Sequence, residues 1–390
     1  GHQIAKAVRV STSSCIPLIQ KTSSAIPRGF PRRQLILPPL PSSHLPLPLL
    51  LKMTKKAVLF GCNYPGQKGE LKGCINDVMM MKEILVDLKG FDESDITILI
   101  DTDDQYESPT GANMKKALNK LVAEASVGDI LFVHYSGHGT QVPSFSEEDW
   151  KNEALCPTDM NLIVDDDLRD IFNKLDPSIP LTVITDCCHS GGMLDHKAIQ
   201  IDGDKSQDVA TGDAPPAKNR ALSIQQVAEM LSKQLGHEVD SDGAGVRSAL
   251  QRGFPEDASK FATSLVAGLP ISDELKGAAN KLLGGLFGKK SSTPPPAEAG
   301  GKVPAKPHVD DEIGVLITGC QSTETSADVR AGGTAYGALS NTLVEAINEN
   351  PNATYRELVT TVRAKLHTKG FKQNPCLECS NNNADKPFIC

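Results

Sequence analysis

No run of eighteen consecutive apolar residues occurs in this 390-residue chain, which excludes an ordinary membrane-spanning helix, and no membrane partner is expected. The ten cysteines lack the even, dense spacing of a small secreted disulfide scaffold. Several fall in expected strands or beside glycines, which favours a reducing compartment, the cytoplasm. Cys376 and Cys379 form one isolated Cys-x-x-Cys. With no second pair at the right spacing, a four-ligand zinc site is not expected. Internal repeats are also missing.

Residues 1–52 contain no acid, only the cations Lys6, Arg9, Lys21, Arg28, Arg32, Arg33 and Lys52. Ser-rich, Pro-rich and basic, this stretch reads as an organellar transit-like leader, which would direct the chain to a plastid or mitochondrion. The equal alternative is translated upstream sequence ahead of a start at Met53. On either reading it is not part of the fold. With the whole chain at −8 and residues 1–52 at +7, the remainder is at −15. An acidic body argues against a nucleic-acid partner and suits a cationic substrate or a divalent cation.

From Lys55 the pattern alternates between strands and helices. Continuous apolar runs at 57–61, 96–100, 130–135 and 181–185 read as buried strands. Helices are expected at 74–88, from an N-cap at Thr110 to about 125, and near 166–175. Residues 197–310 hold acid clusters, Gly-Gly pairs and Pro-rich stretches, and read as a long, loosely ordered insertion. Within it, 222–235, 258–268 and 274–287 are short amphipathic stretches that read as candidate helices. The α/β pattern returns with a strand at 313–318 and helices at about 336–348 and 354–367, the last opened by a Thr354–Glu357 capping box. The expected fold is α/β, a mostly parallel sheet flanked by helices and split by the insertion.

Two strand ends carry the chemistry. The run 129–135 leads into Ser136-Gly137-His138-Gly139-Thr140, and 181–185 leads into Asp186-Cys187-Cys188-His189-Ser190-Gly191-Gly192. Taken singly, the His is a turn residue and the cysteines are buried apolar residues. If the two strands are parallel neighbours, both reactive side chains emerge at one sheet edge, where an imidazole can activate a thiol. The backbone N–H groups of Gly139 and Cys188 are the candidate oxyanion donors.

These two blocks resemble the active-site blocks of metacaspases, caspase-like cysteine proteases. Gly73-Cys74-Ile75-Asn76-Asp77-Val78, the stretch Asp159–Asp167, and Gly319-Cys320-Gln321 with Thr325-Ser326-Ala327-Asp328 match as well. The long insertion and the terminal Pro387-Phe388-Ile389-Cys390 are similar to the plant-type, type II branch. The resemblance spans roughly 53–390. It implies a large-subunit-like region at 53–196, a regulatory linker at 197–310 and a small-subunit-like region at 311–390 that completes a caspase-like sheet. It also implies a monomer.

By that resemblance His138 and Cys188 form the catalytic dyad. Cys187 is then a wall residue, and strand alternation points His189 away from His138. Cleavage after Arg or Lys is implied, in a pocket formed by Asp77 and Asp186 with Cys74 and Ser136 as walls. Asp77 alone would be a favourable acid in a helix's first turn, and Asp186 a strand-end cap. Activation by calcium is implied through Asp165, Asp166 and Asp195, with Asn152 where the family usually carries an acid. Asp165-Asp166-Asp167 also read as an N-cap cluster. Asn152 offers a carbonyl oxygen and Glu153 a substitute carboxylate, so weak calcium binding is expected. Lys218, with Arg220 second, is the expected self-cleavage residue, lodged in the acidic pocket beforehand. The competing reading from another functional class is a weakly active or non-catalytic scaffold.

Overall fold

The computed structural model describes residues 53–143, 151–189, 194, 199–201, 212–267, 314–321 and 324–389. The leader, most of 190–211, 268–313 and Asp195 lie outside the described residues, and so does the amphipathic stretch at 274–287.

The elements run in the order β1 (Lys55–Gly61), α1 (Cys74–Asp87), β2 (Ile96–Ile100), α2 (Gly111–Ala123), β3 (Ile130–Ser136), β4 (His138–Pro143), β5 (Lys151–Cys156), β6 (Ile163–Val164), α3 (Asp165–Phe172), β7 (Leu181–Asp186), β8 (Ile199–Ile201), β9 (Ala217–Asn219), α4 (Ile224–Leu235), α5 (Gly243–Gly253), α6 (Lys260–Ala267), β10 (Val315–Thr318), β11 (Ala327–Ala331), β12 (Thr334–Gly337), α7 (Ala338–Glu349), α8 (Tyr355–Thr368), β13 (Cys376–Glu378) and α9 (Asn381–Ala384). The main sheet has the order β2-β1-β3-β7-β10-β13-β8. Its first five strands are parallel, and β13 and β8 are antiparallel to their neighbours.

Continuous apolar strands need cover on both faces, and both faces have it. On one side α1, α7 and α8 bury Val78, Leu85, Leu343, Val359 and Val362 against Leu59, Phe132 and Ile317. On the other, α2 and α3 bury Leu118 and Phe172 against Val58 and Val133. The helix starts follow capping chemistry. Thr110 Oγ1 accepts the Asn113 N–H at 3.2 Å. Thr354 and Glu357 bond reciprocally at 3.2 and 2.9 Å, the expected capping box.

In the insertion, two of the three candidate helices fall on described residues and are present as α4 and α6, packed more regularly than a loosely ordered segment. Residues 224–267 form three helices whose Val227, Leu231, Val246, Leu250 and Ala262 join the core beneath α2 and α3. The amphipathic stretches within the described residues, 222–235 and 258–267, cover apolar surface, and Ser223 with Gln226 caps α4 in a second capping box. Helix α5 has little apolar content of its own, and the sequence reading passed over it. The short antiparallel sheets β4-β5-β6 and β12-β11-β9 also escaped it.

Candidate active site

Strands β3 and β7 are parallel neighbours, with Tyr135 opposite Thr185 and Ser136 opposite Asp186. The two strand ends are therefore level. His138 and Cys188 each follow two residues later, on the same edge. His189 adopts a left-handed φ of 53°, which bends the chain sharply just after Cys188. Gly139 is required by close packing, because a Cβ there would collide with the Cys188 carbonyl.

Between the strand ends lies a closed acidic pocket. Asp77, Asp186 and Ser136 are completely buried, as Cys74 is at the start of α1. Asp328 of β11 is buried with them, a third carboxylate. Asp77 Oδ1 accepts the Gly337 N–H at 2.7 Å and its Oδ2 accepts Ser136 Oγ–H at 2.7 Å. Asp186 accepts Ser326 Oγ–H at 2.6 Å and the Ser340 N–H at 2.8 Å. Asp328 accepts the N–H groups of Lys72 and Gly73 at 3.1 and 2.9 Å. Gly337 forms one wall, where a Cβ would strike Asp186, Arg220 and Asp77. Burial pushes the Cys74 thiol up, so it stays neutral.

The side chain filling this pocket is Arg220, fully buried. Its Nη2 donates to Asp77 Oδ2 at 2.9 Å and Asp328 Oδ1 at 3.1 Å. Its Nη1 donates to Ser136 Oγ at 2.8 Å and the Asp186 carbonyl at 2.9 Å, and lies 3.3 Å from Asp186 Oδ1. Lys218, expected in the pocket, is not there. It is exposed, and its Nζ donates to the Glu70 carbonyl at 2.7 Å. The reason is geometric. The β9–β11 ladder runs to Asn219 and the Arg220 N–H extends it by one bond to the Ser326 carbonyl, which sets Arg220, not Lys218, at the level of the pocket. A planar fork of five N–H groups can also serve three carboxylates, which three ammonium protons on a point charge serve poorly. Burial works against the Arg220 charge, but the three aspartates hold its pKa well above the ordinary arginine value.

The backbone around Arg220 is held as firmly as its side chain. Its N–H donates to the Ser326 carbonyl at 3.1 Å and its carbonyl accepts the Gly139 N–H at 2.9 Å. The Leu222 N–H then donates to the Gly139 carbonyl at 3.0 Å. Cys188 Sγ accepts the Ser326 N–H at 2.9 Å and donates to Asn219 Oδ1 at 3.0 Å.

His138 is buried beside the same segment. Its N–H donates to the Tyr64 hydroxyl at 2.8 Å, and the two rings lie 4.9 Å apart. Nε2 lies 2.6 Å from the Gly69 carbonyl, which fixes the proton on Nε2 and leaves Nδ1 with a free lone pair. Nδ1 is buried and makes no hydrogen bond. Burial lowers the His138 pKa to about 4, opposed by the carbonyls of Gly69 and Arg220 and assisted by the Lys218 and Arg220 cations. The ring is neutral at pH 7. Asp77 moves the other way. Burial, the largest cause, and the nearby Asp186 raise it to about 6 against the pull of Arg220.

The expected calcium residues assemble in part. Asn152 Nδ2 donates to Asp165 Oδ1 at 2.8 Å and Asp166 Oδ2 at 3.1 Å, and Arg169 pairs with Asp166. The Glu153 carboxylate meets Gln141 Nε2 at 3.4 Å. Calcium takes six to eight oxygens. Here the Asn152 amide and the Arg169 guanidinium already serve oxygens of Asp165 and Asp166 that a cation would need, while Asn152 Oδ1 is buried without a hydrogen bond and could face one. Asp167 reaches back to the Val164 N–H at 3.1 Å, the capping role expected for this acid cluster. No zinc set accompanies Cys376 and Cys379 among the described residues.

Sequence reasoning missed Asp328, the Ser326 N–H, Gly337 and Asn219. Asp328 and Ser326 lie in a motif already singled out, but only the pairing of β11 with β9 shows what they face. Gly337 and Asn219 carry no sequence signal.

A protein-family model described as the metacaspase, peptidase C14 domain matches residues 55–197. Metacaspase-4 of Arabidopsis thaliana is 35% identical over 87% of this chain and 100% of the relative. Metacaspase-9 of the same plant is 41% identical, over 86% and 98%. Metacaspase-1A of Aspergillus fumigatus is 33% identical, over 84% and 69%. A crystal structure of a Geobacter sulfurreducens protein is similar at a TM-score of 0.50 and 21% identity, covering 86% of this chain and 98% of that one; this likeness concerns the fold.

Proposed function

The chain belongs to the plant-type metacaspases and is a cysteine peptidase acting on protein substrates, and on that footing we propose an Arg- and Lys-directed endopeptidase, made as a zymogen that cuts itself after Arg220. The observation that carries this reading is Arg220 itself. Its guanidinium is buried among Asp77, Asp186 and Asp328, while its carbonyl receives the Gly139 N–H at 2.9 Å. That is the pose of a substrate at the bond to be cut.

In this reading Cys188 is the nucleophile and His138 the base. The thiol proton passes to His138 Nδ1, and the sulfur adds to the Arg220 carbonyl carbon. The N–H groups of Gly139 and Cys188 receive the oxyanion. Collapse breaks the Arg220–Ala221 bond, and His138 returns its proton to the departing Ala221 amine. Water then hydrolyses the thioester and frees the thiol. Arginine is favoured over lysine because only its fork reaches all three carboxylates. Calcium enters the proposal as a ligand of low affinity, because Asn152 and Arg169 already serve Asp165 and Asp166.

The test is hydrolysis of fluorogenic peptides ending in Arg, Lys or a neutral residue, with calcium and with chelator, by the intact chain and by Cys188→Ala. The expected result is cleavage of Arg and Lys peptides that disappears in Cys188→Ala. Activity that survives that substitution removes the nucleophile assignment.

A further inference from the structure

We propose that Asn219, the residue preceding Arg220, is a proton catch that keeps the Cys188 thiol protonated until the segment is cut. This rests on the assignment of Cys188 and His138 above. Sulfur at Cys188 has close partners of opposite kind: it accepts from the Ser326 N–H at 2.9 Å and donates to Asn219 Oδ1 at 3.0 Å, with the Ser326 carbonyl a longer acceptor at 3.5 Å. The second contact requires S–H. A thiolate in the same place would face the negative end of an amide dipole and be repelled.

The proton's proper destination is open meanwhile. His138 Nε2 is tied to the Gly69 carbonyl, and Nδ1 is buried without a hydrogen bond. Asn219 thus draws the S–H away from the one nitrogen prepared to receive it. Its oxygen has a second hold, accepting the Ala221 N–H at 2.8 Å. One carbonyl oxygen therefore grips the nucleophile and the amide of the scissile bond together. Release in this proposal is a turn of the Asn219 side chain, which leaves the thiol proton only the longer contact to the Ser326 carbonyl at 3.5 Å. Asn219 belongs to the segment being cut, so a foreign substrate without Asn at that position meets no such catch.

The test separates a proton effect from simple loosening. The rate of iodoacetamide labelling at Cys188 in the uncleaved chain is followed by mass spectrometry from pH 7 to 10, in the unaltered protein, Asn219→Ala and Asn219→Asp. The proposal expects the midpoint to fall by about half to one unit in Asn219→Ala, where one hydrogen bond to the thiol is lost. In Asn219→Asp it expects a rise, because a carboxylate beside the sulfur favours S–H still more. Self-cleavage after Arg220 should accelerate roughly three- to tenfold in Asn219→Ala. A side chain that merely packs the segment would raise labelling in both variants without moving the midpoint in opposite directions; that result, or unchanged midpoints, overturns the proposal. Labelling does not depend on peptidase activity, so it stands apart from the Cys188→Ala assay that tests the parent reading.

Discussion

Arg220→Gln tests the pocket most directly. The guanidinium makes four hydrogen bonds and a further ion pair, all buried. Glutamine keeps one neutral amide and leaves Asp77, Asp186 and Asp328 facing one another without a cation. Removing one partner of a buried ion pair costs about 3–5 kcal/mol. At about 1.4 kcal/mol per factor of ten, self-cleavage should slow by about 10²- to 10⁴-fold. Asp77 decides where in that window the loss falls. Its pKa is already about 6 with the cation present, so it takes up a proton once the cation is gone. That relieves part of the repulsion and sets the expected loss near the lower end, about 10²-fold at pH 7. Arg220→Lys keeps the charge but not the fork, and should lose about tenfold. Purified chains are incubated, resolved by electrophoresis and sequenced at each new N-terminus. The unaltered chain should show Ala221 first. A first cut yielding Asn219, or an unchanged rate of the Ala221 cut in Arg220→Gln, refutes the reasoning.

Three further outcomes follow from the same geometry. Acid should undock the segment around Arg220. His138 sits near 4 when covered and returns toward 6.5 when exposed, while Asp77 rises above about 6 when Arg220 leaves. Both groups therefore gain protons on undocking, and protons favour the undocked chain between about pH 7 and 4. His138 alone predicts about 20-fold faster nicking of residues 212–222 by an added protease at pH 5 than at pH 7, after correction for that protease's own pH profile; a flat ratio contradicts the assignment. Asn152→Asp should tighten calcium binding at least tenfold by titration calorimetry, because a carboxylate replaces the amide that now faces Asp165 and Asp166. Micromolar or tighter binding by the unaltered chain would show that Asn152 does not weaken the site. Gly337→Ala places a methyl group against Asp186 and Asp77, where overpacking costs about 1–3 kcal/mol. Its kcat/KM for Arg peptides should fall about 5- to 150-fold, with the fold intact by circular dichroism.

The buried parallel strands were legible because covered sheets leave continuous apolar runs, and 96–100 matches β2 residue for residue. The level strand ends were legible because His138 and Cys188 each follow their expected strands, 130–135 and 181–185, by the same three positions. The occupant of the pocket was not. Lys218 and Arg220 both carry the required charge, and they differ only in where the β9–β11 ladder stops. Asp328 lies 251 residues from Asp77 in sequence (328 against 77) and reaches the pocket only because β11 pairs with β9 and β12. Asn219 had no signal of any kind, since an amide acquires its role only from the sulfur it faces. The insertion read as loose because its Gly, Pro and acid content outweighed its short amphipathic stretches. Their value appears only when they are stacked on α2 and α3.

The contacts that hold Arg220 are those a substrate would make, and this limits what can distinguish a lock from a bond about to break. Upstream, β9 extends β11; downstream, residues 220–222 bracket Gly139. The side chain fills the pocket, and the carbonyl already has its donor. None of these needs to change for cleavage, so rearranging the pocket is not a sensible route to activation. On the proposed reading, what opposes the reaction is the placement of protons. The thiol proton is held by Asn219, and the imidazole is buried enough to sit near 4, a weak base for a thiol. A barrier of this kind yields to a side-chain rotation and a little water beside His138. It leaves the sheet, the carboxylates and the paired strands as they are, ready for the next chain.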